Sequence, residues 1–94
     1  MIKVDFTALE GHKTSAPLNN GVQHVFRFDN NFGASVVQHE YSYGGRAGKW
    51  ELAVLKFDDK GDWNLTYETE ITNDVLGHLE ESEVVETLTQ IQGL

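Results

Sequence analysis

The sequence predicts an α+β domain: an antiparallel sheet of four or five strands, built on two consecutive hairpins, with one C-terminal helix packed on it. Three observations lead there. Short segments of alternating apolar and polar residues recur from Ile2 to Ile71, punctuated by Gly, Asn and Asp. Two pairs of these segments are separated by short turn-forming stretches, DNNFG and DDKGD. Only beyond Leu79 does the spacing change, with Val84, Val85, Leu88 and Ile91 on one helical stripe. A chain of 94 residues holds a single domain, residues 1–94, around one modest core.

Taken in order, Ile2, Val4, Phe6 and Ala8 alternate with other positions and suggest a half-buried first strand over 2–8. Residues 9–21, LEGHKTSAPLNNG, read as a loop: they hold the only proline and end on the turn pair Asn20-Gly21. VQHVFRF (22–28) and ASVVQHE (34–40) then form the first hairpin. Asn30 and Asn31 tolerate the left-handed backbone that a two-residue type I′ turn requires. That register sets Val22 opposite His39, Gln23 opposite Gln38 and His24 opposite Val37, so two VQH tripeptides run antiparallel.

KWELAVLKF (49–57) and WNLTYETEI (63–71) form the second hairpin. Their spacing suits a type I turn through Asp59-Lys60, with Gly61 at a left-handed bulge position and therefore at positive φ. One face then carries Phe57/Trp63, Leu55/Leu65 and Ala53/Tyr67. The other carries Trp50/Glu70, Leu52/Glu68, Val54/Thr66 and Lys56/Asn64. Strand 49–57 is apolar on both faces, which places it centrally with cover on each side. The helix is the candidate cover. Leu79 and Val84 match a hydrophobic staple around its start, with Glu80 as N-cap and Glu83 at N3. TNDVLGH (72–78) forms an irregular turn on the way.

Charge is unevenly divided. Residues 1–48 hold four acids and four bases, whereas residues 49–94 hold eleven acids against three lysines and carry the whole net charge of -8. Nothing after Lys60 is Lys or Arg. Such a surface repels nucleic acid and anionic membranes and attracts basic partners. Direct nucleic-acid binding needs the cations it lacks. Cysteine is absent, which excludes disulfides and thiolate metal sites and gives no sign of secretion. The opening MIKVDFTALEGHK has no continuous apolar run of the signal-peptide or membrane-anchor kind, so the expected compartment is the cytosol.

No motif of reactive chemistry stands out. Ser15, Ser35, Ser42 and Ser82 lack a flanking nucleophile motif. The aspartates of DDKGD lack calcium-loop spacing, and Glu80, Glu81 and Glu83 complement a helix dipole. The expectation is therefore no catalytic residue and no cofactor. His24 and His39 share a face of the first hairpin but sit diagonally, about 7–8 Å apart at Cα, with no carboxylate forced beside them.

Three sets of residues are candidates for binding. In the loop SYGGRAG, Tyr41 and Tyr43 offer platforms and Arg46 an anion contact, the basis of a small-ligand or metal-binding alternative. The plainer reading is a connection whose glycines permit positive φ. The second set is the face of Trp50, Leu52 and Val54. If the helix covers the opposite face, these residues become an exposed apolar stripe rimmed by Glu68 and Glu70, suited to a protein partner or a homodimer. If they are covered, they are ordinary core. The third set is acidic: Asp58, Asp59, Asp62, Glu68, Glu70, Glu83 and Glu86 would act as phosphate surrogates in a DNA-mimic inhibitor.

FRFDNNFGASVV, followed by SYGG, WELAVLKFD and LTYETEITNDVLGHL, resembles small proteins encoded by tailed bacteriophages and prophages. The likeness covers about residues 22–90 and departs from the usual pattern at Asn30-Asn31, where Asn-Gly is the more frequent turn. The resemblance implies context, an accessory protein in the cytosol of an infected bacterium, and it transfers no catalytic residue. The leading expectation is a non-enzymatic acidic protein that binds a host or phage protein, with inhibition as one form that binding could take. A DNA-mimic inhibitor is the second, and a ligand- or metal-binding protein the third.

Overall fold

A six-stranded antiparallel sheet carries a single C-terminal helix on one of its faces. The computed structural model describes residues 6–18, 20–39, 48–66 and 76–94. A 3₁₀ turn at Phe6–Ala8 leads into β1 (His12–Leu18), β2 (Gly21–Arg27), β3 (Phe32–Gln38), β4 (Trp50–Phe57), β5 (Trp63–Leu65), β6 (Leu76–Leu79) and α1 (Glu81–Gln92). Strand order is β1-β2-β3-β4-β5, with β6 also pairing with β4. Strands β5 and β6 thus share β4: β5 pairs with Leu55, Lys56 and Phe57, and β6 with Trp50 and Leu52. Among the described residues no helix is long and apolar enough to cross a membrane.

Sheet register explains which face the helix takes. Phe26, Ala34 and Val54 lie in one cross-strand row, and His24, Val36 and Leu52 in the next. These rows meet Val84, Leu88 and Ile91 of α1, and Phe6, Phe28 and Trp50 complete the core. Burying each large aliphatic or aromatic side chain there contributes about 1.5–3 kcal/mol. The opposite face of β3 and β4 is buried as well, at Ser35, Val37, Ala53, Leu55 and Phe57. β4 is therefore central and covered on both sides, as its two apolar faces require. At the start of α1, the Glu83 carboxylate accepts the N–H of Glu80 at 3.0 Å, the capping arrangement expected of those two positions.

Several local expectations are corrected. Phe6–Ala8 forms a 3₁₀ turn rather than the end of a strand, while residues 1–5 lie outside the described residues. The expected loop 9–21 contains β1, an edge strand whose exposed, polar sequence has no alternation to betray it. An edge is where a sheet tolerates a proline, and Pro17 sits there opposite Val22. The first hairpin turns over three residues, not two: Phe28 N donates to Phe32 O at 2.8 Å, and Asn31 alone takes the left-handed angle, φ 67°. The register accordingly moves by one, to Val22 opposite Gln38 and His24 opposite Val36. The second turn follows expectation, with Gly61 at φ 84° and Phe57 opposite Trp63. Its outer pairs do not. Leu52 faces Leu76 and Trp50 faces Leu79, where Glu68 and Glu70 were expected.

Candidate functional site

The apolar stripe expected on β4 is core. Trp50 is 8% exposed, Leu52 0% and Val54 1%, all beneath α1. An exposed protein-binding or homodimer face built on them is therefore corrected. The reason is that the helix stripe matches the even-numbered side of β2, β3 and β4, which is the side offering large residues in unbroken rows. Glu68 and Glu70 lie outside the described residues, as do Tyr41, Tyr43 and Arg46 of the Gly-rich loop.

The remaining acidic candidates are on the surface. Asp58, Asp59 and Asp62 are exposed at the β4–β5 tip, and Glu83 and Glu86 on α1. Two of the five also serve local structure. Asp58 Oδ1 accepts the N–H groups of Lys60 and Asp62 at 2.9 and 3.0 Å, closing the turn, and Glu83 caps the helix. Asp59, Asp62 and Glu86 are left to face solvent. Glu80 forms an ion pair with Lys49.

A different group is assembled where the sequence suggested only loop. Ser15 stands directly opposite His24 on the β1–β2 pair. The register shift between His12 and Thr14 adds one residue to β1, so His12 pairs with Phe26 and shares a face with Ser15. Without that bulge, residues three apart on a strand would point to opposite faces. The Ser15 hydroxyl lies 2.8 Å from His12 Nε2 and 2.7 Å from His24 Nδ1, with the two nitrogens 3.3 Å apart. Aromatic rings fix both imidazoles: Phe6 and Trp50 at 5.5 and 5.9 Å from His24, Phe26 at 5.3 Å from His12. His24 is buried and His12 half-buried, while Ser15 is exposed. The corrected register puts His39 on the alternate parity from His24, so the pair once expected to share a face is separated. Within the sequence, the sole sign of this grouping was the His-x-x-Ser spacing after Gly11, whose φ of 86° starts the irregular end of β1.

Elsewhere, a cleft of about 500 Å³ opens between the start of β1 and the end of α1. Its lining holds two acids, Glu10 and Asp29, and two bases, Lys13 and Arg27, a balance that favours neither sign of ligand. Among the described residues no three His, Cys, Asp or Glu side chains are grouped to hold a metal. No protein-family model, characterised protein or solved structure matches this chain.

Proposed function

We propose that this chain is a non-enzymatic acidic accessory protein that binds a basic host or phage protein and blocks the surface it occupies. The phage setting, in the cytosol of an infected bacterium, rests on the sequence resemblance alone. The observation supporting binding is the division of labour between the core and the surface around it. The apolar residues of β4 and the stripe of α1 turn inward, while Asp59 and Asp62 on the β4–β5 turn and Glu86 on α1 face solvent, beside neutral polar residues and the single exposed lysine of β4, Lys56. Contact would run through charge, with fast, salt-sensitive association. The DNA-mimic alternative gains less. Asp58 and Glu83 are committed to backbone N–H groups, and Lys60 and Arg27 sit at or beside the acidic tip.

The test is capture from bacterial lysate on immobilised protein, at low and high salt. The parent should retain a basic protein at low salt, and the combined variant Asp59→Lys, Asp62→Lys, Glu86→Lys should not. An identical retained set from parent and variant, or none from either, overturns the reading. Displacement of the captured protein from DNA by the parent chain would transfer it to mimicry.

A further inference from the structure

We infer that His12, Ser15 and His24 form a binding site for a divalent transition-metal ion of the Cu²⁺, Ni²⁺ or Zn²⁺ class. Three potential ligand atoms from two strands converge on one point. His12 Nε2, His24 Nδ1 and Ser15 Oγ make a triangle with edges of 2.7, 2.8 and 3.3 Å. An ion bound at about 2.0–2.2 Å in tetrahedral or octahedral geometry holds adjacent donors about 3.0–3.4 Å apart. The nitrogen–nitrogen edge already has that length. The two shorter edges both belong to Ser15, whose exposed side chain needs to retreat by only a few tenths of an ångström.

Without an ion the three atoms form a hydrogen-bond chain through Ser15, one imidazole N–H donating to the hydroxyl and the hydroxyl to the other imidazole nitrogen. An ion that takes a lone pair from each atom would replace that chain, the exposed hydroxyl turning its proton to solvent. Phe6, Phe26 and Trp50 hold the rings in place, so little orientational freedom is lost on binding. Exposed Ser15 leaves one side open for entry and for water to fill the remaining positions. Imidazole nitrogen selects the borderline transition ions over Mg²⁺ or Ca²⁺. With two nitrogens and one hydroxyl as donors, binding should be strongest for Cu²⁺. Binding would also lock the bulged edge strand β1 to β2, so metal should raise the melting temperature.

Calorimetric titration of the whole chain with CuCl₂, NiCl₂ and ZnCl₂ tests this. One ion should bind per chain. His12→Gln, a change at a half-buried edge position, should weaken binding about tenfold or more and remove the metal-dependent rise in melting temperature. His39→Gln and His78→Gln should leave both unchanged. Ser15→Cys, which replaces the weakest donor by a thiolate, should tighten Zn²⁺ about tenfold or more. Circular dichroism of each variant confirms that the sheet is retained. No binding at millimolar metal, or binding indifferent to His12→Gln, overturns the proposal. So does equal sensitivity to His39→Gln.

Discussion

The two hairpin tips share a geometry and are held to it by different means. Phe28 N donates to Phe32 O at 2.8 Å and Asn31 N to Phe28 O at 3.1 Å. Asp58 N donates to Asp62 O at 2.8 Å and Gly61 N to Asp58 O at 3.1 Å. Asn31 and Gly61 occupy the same left-handed position. The second tip is closed by its own first residue, through the two backbone N–H groups bonded to Asp58. The first is closed against the rest of the molecule. Asn30 accepts the Phe32 N–H at 3.0 Å and donates to the carbonyls of Ile91 and Leu94 at 2.9 and 3.1 Å. A tip that meets solvent is self-sufficient, whereas a tip that meets a helix end spends its central side chain on the helix.

Gly33→Ala should break the likeness most severely. Gly33 and Trp63 follow their turns at matching positions, yet one admits no side chain and the other carries an exposed indole. A Cβ on Gly33 would lie 1.9 Å from the Phe26 carbonyl oxygen and 2.8 Å from the Phe57 ring. The expected loss is about 3 kcal/mol, read from urea unfolding. An unchanged midpoint would mean that the first tip relaxes freely.

Asn30→Ala comes next. It removes an acceptor from the turn and a donor from the helix end, and should cost about 2 kcal/mol. Amide exchange should accelerate at both places, and acceleration at the turn alone would deny the joint. Gly61→Val puts a β-branched residue at φ 84° and should cost about 1–2 kcal/mol, confined to the second tip. Asn31→Gly should be the mildest, within about 0.5 kcal/mol of the parent. The left-handed position gains a residue suited to it, while the Asn31 side chain loses its 3.1 Å hydrogen bond from Arg27.

The same contrast accounts for what the sequence disclosed. Asp-Asp-Lys-Gly-Asp names its turn, because glycine marks the left-handed residue, and the second register followed correctly from it. Asn30 and Asn31 are equally able to turn left-handed, so the first register slipped by one residue. Helix α1 was legible from its stripe and its N-terminal acids. The face it covers was not, since β4 is apolar on both sides and only tertiary packing chooses between them. Strand β1 was hidden for an opposite reason. An exposed edge needs no apolar residues, and six of its seven residues are paired to β2, with Lys13 at the bulge. With β1 unseen, the His-x-x-Ser spacing alone gave no reason to bring His12 and Ser15 to His24.

Asn30 has one more consequence, for cooperativity. Helix α1 spans 12 residues and has no basic residue in its last turn to answer the exposed carbonyls. A helix of that length is marginal on its own in water. The Gly93 and Leu94 N–H groups take the Thr89, Gln90 and Ile91 carbonyls, and the Asn30 side chain, 61 residues before Ile91, adds a second bond to the Ile91 carbonyl that ties this end to the hairpin. The end of the helix and the tip of the first hairpin are therefore one opening unit, whose amides should become exchangeable together at one free energy although neither is near the other in sequence.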